Sequence, residues 1–384
     1  MHRSEKLCVS NETCITAGHK NVSIRIHIMS RFSGLDSIRG IAALTVVACH
    51  ICLIGGINSD ISHQMARLSV LLFFVLSGFV LTLSYTEGKS QDYPAFILKR
   101  FCRIYLPFAI AITIAAIPFN AVSDAHPNLK LGVDHYTNDL TLQNFLGHLL
   151  MTGMRGTTFM DSAIWSLIIE MRASLLFPLL LWFASRAKWS AVPIFIALSL
   201  LAIKAFVHRD GPDNIYEAKS ILSGGLLTVY YLMYFMAGIS LALYRKQVIH
   251  LIQKLGAVSH VLAFCIVYPA ALMSVHSFTL RDLLYGFTAC HIIACCISMP
   301  KVDLALSARP LAWLGKVSFS LYLIHMPIMF YTAYLLDPYV APMIALICSL
   351  PVVLVATLLF FKYVEAPSMA LGKKIARRRP AVLT

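Results

Sequence analysis

Residues 37–55 read SIRGIAALTVVACHICLIG, a stretch in which Arg39 and His50 are the only basic side chains. About 20 mostly apolar residues are enough for a helix to cross the hydrocarbon core of a bilayer. Similar stretches follow along the chain, near residues 68–85, 104–121, 163–184, 191–207, 223–243, 257–275, 282–299, 317–335 and 341–361. The sequence therefore predicts an all-α integral membrane protein in which about ten transmembrane helices form one bundle.

The composition supports this fold class. Hydrophobic residues make up 58% of the chain, charged residues only 13%, and the mean hydropathy is +0.74. Soluble proteins are about 45–50% apolar and about a quarter charged. The net charge of +14 does not indicate nucleic-acid binding, because the lysines and arginines lie in short clusters between apolar stretches.

The distribution of those basic clusters predicts the topology. Cationic loops stay on the cytoplasmic side of a membrane, and alternate loops are the basic ones. Both termini are therefore predicted to be cytoplasmic, whereas the opposite loops carry few cations, among them Arg67. Residues 1–30 are predicted to be a disordered extension, residues 371–384 a basic cytoplasmic tail, and residues 122–162 an outer segment long enough to cover a polar acceptor.

The first apolar stretch also contains the strongest candidate site. Arg39 and His50 are eleven positions apart, so they lie within about 20° of one helix face and roughly 16 Å from each other. Asp36 lies one turn before Arg39 on nearly the same face. Ionisable groups inside a membrane mark functional sites, and a neutral imidazole can accept a proton from a hydroxyl nucleophile. Alternatively, Arg39 reaches lipid headgroups and His50 bonds a buried carbonyl.

Two further segments offer contacts for a ligand or for another helix. Ser77-Gly78 lets a ligand or a helix approach the backbone closely, and ordinary helix packing is the simpler explanation of such a pair. Arg100 and Arg103 lie on one helical face, where two guanidinium groups suit the phosphates of coenzyme A. The alternative for this pair is anchoring to lipid phosphate.

Polar side chains also occur in the fourth and ninth stretches. Trp165 precedes Glu170, which is a buried carboxylate that needs a partner, either catalytic or in another helix. Tyr322 and His325 share one helical face, and His325 serves either catalysis or a hydrogen bond to the backbone that Pro327 frees.

Cysteine usage predicts neither disulfides nor a metal site. Most of the ten cysteines lie inside apolar stretches, where they behave as small hydrophobic residues. Cys49 and Cys52 match a CxxC pattern, but with His50 they do not converge on one ion in a helix, and no second pair completes a site. We therefore expect no bound metal and no permanently bound cofactor.

Taken together, six of these segments resemble the acyltransferase-3 family of membrane acyltransferases, in family order over residues 31–370. The matching pieces are Leu35–Gly40 through His50, Phe73–Phe79, Arg100–Tyr105, Trp165–Glu170, Gly315–Pro327 and Val364–Pro367. The family's arginine and histidine pattern corresponds to Arg39 and His50, and its paired arginines to Arg100 and Arg103.

The resemblance implies a function for the chain. It implies transfer of an acyl group, commonly acetyl, from cytoplasmic acyl-CoA to a carbohydrate hydroxyl outside the cytoplasm, in a bacterial inner membrane. His50, Arg39 and Glu170 are then expected to be catalytic and Arg100 and Arg103 to hold the donor. Support at the site is expected from Asp36, Ser77, Gly78, Trp165, Tyr322 and His325. The alternative function is export of a polar glycan without catalysis, with the buried charged groups along its path.

Overall fold

A computed structural model of the protein describes residues 33–57, 60–86, 92–119, 140–212, 215–336 and 339–377. The predicted extension 1–30, the last residues of the predicted tail and residues 120–139 of the predicted outer segment lie outside these ranges. Within the described part of the chain the structure is helical, and its only β-type pairing is an isolated bridge between Met154 and Ala218.

The described residues form fifteen α-helices in chain order. They are α1 (Ser33–Ile54), α2 (Asp60–Thr86), α3 (Tyr93–Arg100), α4 (Leu106–Ala116), α5 (Leu142–Leu149), α6 (Ile164–Ala187), α7 (Ala191–Asp210), α8 (Ile221–Leu243), α9 (Arg245–Leu262), α10 (Tyr268–Ser274), α11 (Phe278–Ser298), α12 (Pro300–Leu306), α13 (Arg309–Leu336), α14 (Pro342–Phe360) and α15 (Ala366–Arg377). Three π-helical turns join consecutive helices without a break, at Phe101–Tyr105, Ala263–Val267 and Phe361–Glu365.

Eight helical runs among the described residues are long and apolar enough to cross a membrane. One of them, Ile164–Asp210, contains both the fourth and the fifth predicted stretches, because α6 continues through a short 3₁₀ turn into α7. The third predicted stretch coincides with α4, and the continuous helix from α3 to α4 is not among these eight runs. The all-helical membrane fold is confirmed, while the ten-span count and the orientation of the termini stay predictions.

Helices α2 and α8 approach each other closely through two glycines. A Cβ added at Gly78 would lie 2.3 Å from the carbonyl oxygen of Phe235, and one at Gly238 would lie 2.1 Å from that of Val75. Small residues at such crossings let two backbones meet inside a membrane. Gly78 is therefore explained by helix packing, which the sequence had left open.

Helices α1 and α13 run parallel and touch in the same way. A Cβ added at Gly40 would lie 2.5 Å from the Gly315 nitrogen, and one at Gly315 would lie 2.2 Å from the Asp36 carbonyl oxygen. An offset of 275 residues separates Gly40 from Gly315 and also His50 from His325. The glycine contact thus fixes the register that brings the two histidines together.

Candidate active site

A cavity of about 460 Å³ lies among α1, α2, α3, α6, α13 and α15. It begins near the first residues of α1 and reaches Ser166 and Tyr322 deeper in the bundle. Its lining combines aromatic rings such as Phe73 and Phe319 with charged and hydroxyl side chains. A pocket of this size with a few convergent polar groups is the usual form of a small-molecule site.

The cationic end of the cavity gathers residues from distant parts of the sequence. Arg39, Lys99, Arg100, Arg103 and Lys373 all line it, against only two acidic side chains, Asp36 and Glu170. Arg39 Nη1 lies 2.8 Å from Asp36 Oδ1, a pair on adjacent turns of α1. The remaining excess of positive charge makes this end suited to an anionic ligand that carries several phosphates.

Glu170 is at the centre of a hydrogen-bond network beside the cavity. Its Oε1 accepts from Arg100 Nη2 at 2.9 Å and from Ser77 Oγ at 2.9 Å. Arg100 is buried and also donates from Nε to Ser174 Oγ at 3.1 Å. Glu170 thus finds the partner that the sequence required, but that partner is Arg100, one of the two arginines expected to hold the donor.

Arg103 differs from Arg100 in its surroundings. It is half-buried, and its Nη1 lies 3.3 Å from the sulfur of Met369 on α15. A thioether is only a weak acceptor, so the Arg103 guanidinium can still donate strong hydrogen bonds to a ligand. Sequence reasoning paired the two arginines, whereas the structure gives them different partners.

Tyr322 and Ser166 form the deep end of the lining. The two hydroxyl oxygens are 2.7 Å apart, and Tyr322 also donates to the carbonyl oxygen of Ala163 at 3.0 Å. The ring of Phe73 packs edge-on against Tyr322 with centroids 5.5 Å apart. Ser166 lies one residue after Trp165 in a segment that the sequence singled out, but its role in the lining was not predicted.

His50 and His325 lie directly behind Tyr322 and outside the cavity lining. His50 Nδ1 is 2.9 Å from His325 Nε2, and the two rings are stacked with centroids 5.2 Å apart. The rings of Tyr322 and His325 are 5.9 Å apart between centroids. Arg39 and His50 therefore share α1, but only Arg39 faces the cavity.

The neighbours of His325 determine which nitrogens of this pair carry protons. His325 Nδ1 faces the carbonyl oxygens of Tyr322 at 2.8 Å and Leu321 at 3.1 Å. Carbonyl oxygens only accept, so Nδ1 is protonated and the neutral ring accepts at Nε2. His50 then donates from Nδ1, which leaves His50 Nε2 as its basic nitrogen.

Asp161 lies just before α6, close to the deep end of the cavity. Its Oδ1 accepts from the backbone nitrogen of Ala163 at 3.0 Å, and its buried Oδ2 has no hydrogen-bond partner among the described residues. Burial raises the pKa of Asp161 to about 8. The carboxyl group is therefore largely protonated near neutral pH.

Trp165 lies outside the cavity lining, in a cluster that the sequence did not predict. Its ring lies near the guanidinium of Arg67, which binds Asp282 through Nε at 3.0 Å and Nη2 at 2.5 Å. Tyr231 accepts from Arg67 at 2.9 Å and Tyr230 donates to Asp282 at 2.6 Å. The sequence predicts Arg67 to be a loop cation, because it precedes an apolar stretch. The sequence signal for its partner is Asp282, the acidic residue at the start of the stretch 282–299.

A family model for an acyltransferase domain matches residues 32–362. The chain belongs to the acyltransferase-3 family. The family predicted from the six segments is thus confirmed, and the match covers the residues that line the cavity except those of α15.

Three bacterial relatives of this acyltransferase-3 chain are similar over most of its length. "Putative peptidoglycan O-acetyltransferase YrhL" of Bacillus subtilis is 26% identical over 77% of this chain and 48% of its own length. "Acyltransferase MdmB" of Streptomyces mycarofaciens is 27% identical over 91% of this chain and 94% of its own. "Peptidoglycan O-acetyltransferase OatA" of Listeria monocytogenes is 24% identical over 87% of this chain and 55% of its own.

The chain spans about half the length of the two relatives named as peptidoglycan O-acetyltransferases. It spans nearly all of MdmB. No solved structure is significantly similar to the chain.

Proposed function

We propose that this protein is a membrane acyltransferase that moves an acetyl group from acetyl-CoA to a hydroxyl of a cell-envelope carbohydrate in the bacterial inner membrane. The observation that carries the proposal is the cavity with a cationic entrance and a hydroxyl-lined deep end next to the His50–His325 pair. The names of two relatives support acetyl as the group and peptidoglycan as the class of acceptor.

The charges of the cavity support a site for the donor at its cationic end. Arg39, Lys99, Arg103 and Lys373 bind the phosphates of coenzyme A at the entrance, on the side predicted to be cytoplasmic. Arg100 is neutralised by Glu170 and keeps the wall between α3 and α6 in shape. The narrow pantetheine arm extends between the aromatic rings and brings the thioester to Tyr322 and Ser166.

For the acceptor, the proposal uses the opposite side of the histidine pair. His50 is half-buried and lies four residues before the end of α1, on the side of the bundle away from the cationic entrance. An acceptor hydroxyl that approaches from this end meets His50 Nε2, which takes its proton as the oxygen attacks the thioester carbonyl. The thiolate of coenzyme A leaves toward the entrance, and His325 holds the His50 ring in the tautomer that this step needs. The rings of Phe73 and Tyr322 separate the two approaches, so transfer requires Tyr322 to turn away from Ser166.

The proposal is tested by acyl transfer in purified protein reconstituted in a bilayer. Acetyl-CoA and a peptidoglycan oligosaccharide are supplied, and free coenzyme A and the acceptor ester are both measured. His50→Ala should lower the rate by about 10²–10⁴-fold, the contribution of a general base. His276→Ala is the matched control, because this histidine is exposed between α10 and α11.

Two results would contradict the proposal. An unchanged rate in His50→Ala would remove the catalytic assignment of the imidazole. Passage of the glycan across the bilayer without consumption of the thioester would support the exporter instead.

A further inference from the structure

A second cluster of polar side chains lies away from the cavity, between α9, α10 and α11. His260, His291 and Cys295 each offer one ligand atom, and the three atoms lie within 4.8 Å of one another. His260 and Cys295 are buried, and His291 is half-buried. None of the three residues lines the cavity that holds the proposed donor.

The first imidazole is oriented by a break in α9. Gly256 has a φ of +76°, a conformation that glycine adopts without steric cost. The kink there lets His260 Nε2 reach the carbonyl oxygen of Ile252, eight residues earlier, at 2.9 Å. Because a carbonyl oxygen only accepts, Nε2 is the protonated nitrogen, and the lone pair of Nδ1 points into the cluster.

The second imidazole is held from its outer side by a tyrosine. The hydroxyl of Tyr268 forms a hydrogen bond with His291 Nδ1. His291 Nε2 is left to face His260 Nδ1 at 2.8 Å. Cys295 lies four residues after His291, so both project from the same face of α11. The two inner nitrogens and the thiol thus converge, while the outer nitrogen of each ring is fixed by a neighbour.

We propose that His260, His291 and Cys295 bind a Zn²⁺ ion, with one coordination position left for water. Two imidazoles and a thiolate are ligands that zinc accepts, and three protein ligands with an open position are a recurring zinc arrangement. Hydrogen bonds from the outer nitrogens of histidine ligands to a carbonyl or a hydroxyl are the usual support of such a site. The CxxC pattern near His50 lies within one apolar stretch. The cluster of His260, His291 and Cys295 joins residues from two stretches, so no local pattern in the sequence indicates it.

The protons balance when the ion binds. The Cys295 thiol loses its proton to the solvent and becomes a thiolate. The proton that lies between the two inner nitrogens of the histidines moves to His291 Nδ1, which then donates to the Tyr268 oxygen. The ion takes the place of that proton, so binding releases one proton per ion.

The ion would link the weakly packed helical run Arg245–Ser274 to α11. Only 6% of the apolar window in the run Arg245–Ser274 is buried inside the protein. Two of the three ligands lie on α11, which packs against the core, and the third lies on this outer run. An ion bound only by the folded protein raises its stability according to its concentration relative to Kd.

The test uses the full chain in detergent, purified without a polyhistidine tag and stripped with a chelator. Co²⁺ is titrated as a spectroscopic substitute for Zn²⁺. We expect one equivalent to bind, with a thiolate-to-cobalt charge-transfer band that added Zn²⁺ abolishes. Cys295→Ala should lose the band, whereas Cys290→Ala, which changes a cysteine of the same helix outside the cluster, should keep it.

A second variant keeps the test decisive if Cys295→Ala does not fold. Tyr268→Phe removes only the support of His291 and should weaken Co²⁺ binding about 10–100-fold. Wild-type protein that binds Co²⁺ no more tightly than the His260→Gln/His291→Gln double variant would overturn the site. So would a charge-transfer band that persists in Cys295→Ala.

Discussion

At the scale of single residues, His50 owes its chemistry to a partner that lies 275 positions away in the chain. The helical spacing of Arg39 and His50 was enough to predict a buried imidazole beneath a cation. It could not show that the second imidazole of the pair would be His325, because that depends on which two helices touch. One of the two alternatives for His325 was a hydrogen bond to the backbone freed by Pro327. The carbonyls it contacts are those of Leu321 and Tyr322, which lie before the released position.

Asp161 makes stability depend on pH in a predictable direction. Its pKa is about 8 in the folded protein against an ordinary value of 3.8. A carboxyl whose folded pKa is raised adds stability that is complete below the unfolded pKa and is lost as the pH rises through the folded one. We therefore expect the thermal midpoint to fall between pH 6 and pH 9.

Asp161→Asn isolates this contribution. The amide keeps the shape of the side chain but does not titrate, so the fall between pH 6 and pH 9 should be smaller in the variant. Equal falls in both proteins, measured by intrinsic fluorescence during heating, would show that Asp161 does not carry the effect.

Arg67 and Asp282 make a second residue-scale prediction. Their side chains are only 7% and 1% exposed, and removing one partner of a buried pair leaves an uncompensated charge that costs about 3–5 kcal/mol. Asp282→Ala should therefore destabilise the protein strongly, and Arg67→Leu/Asp282→Leu should destabilise it less than the single change. Thermal unfolding checks the order. Asp60→Ala at the exposed start of α2 is the control, expected to change stability by no more than about 1 kcal/mol, the contribution of an exposed acidic side chain at a helix N-terminus.

At the scale of helices, the contact between α1 and α13 holds the histidine pair in place. In Gly40→Ala the new methyl would lie 2.5 Å from the Gly315 nitrogen, a backbone atom that cannot turn aside. The helices must separate, and a displacement of about 1 Å in a catalytic group can lower a rate about 10²-fold. We expect acetyl transfer to fall by that order while the protein remains folded.

Gly225→Ala is the control for this change. It replaces a glycine of α8 whose added Cβ meets no described atom within 4 Å. Transfer at the wild-type rate in both variants would show that the close glycine contact is not needed for the reaction.

The sequence predicted the positions of the long helices well, but not the places where their backbones depart from regular α-helix. Apolar length predicted where α1, α2, α8 and α13 run, because a bilayer imposes that length on any spanning helix. It did not predict the three π-helical turns or the kink at Gly256. Apolar periodicity reports which face of a helix is buried, not where its backbone departs from the α-helical hydrogen-bond pattern.

At the scale of the whole molecule, the cavity collects candidates that the sequence could only treat separately. Arg39, Arg103, Glu170 and Tyr322 were each singled out in different stretches, and all four line it. His50, which the sequence predicts on the face of Arg39, does not line it, and Lys373 on α15 was predicted only as part of a basic tail. Its position beside Arg103 depends on how the last helix folds back against α3, which no local pattern encodes.

The charge of the entrance gives the last prediction. Arg103→Ala/Lys373→Ala should raise the KM for acetyl-CoA at least tenfold and leave kcat within about twofold, because lost phosphate contacts weaken ground state and transition state alike. The KM of the variant should also depend less steeply on salt, since fewer charges remain to be screened. Lys254→Ala, an exposed cation on α9 away from the cavity, is the control. A fall in kcat with constant KM would place these cations in the chemical step.

The parallel contact of α1 and α13 also links the reaction to the lipid around the protein. Gly40 and His50 are about 15 Å apart along the helix axis. Over that length, a change of about 4° in the angle between the helices shifts the far rings by about 1 Å. Such a shift carries two nitrogens that are 2.9 Å apart beyond bonding distance. Membrane helices change their tilt when hydrocarbon thickness does not match their length. The acyl-chain length of the host membrane therefore controls whether the hydrogen bond between His50 and His325 forms.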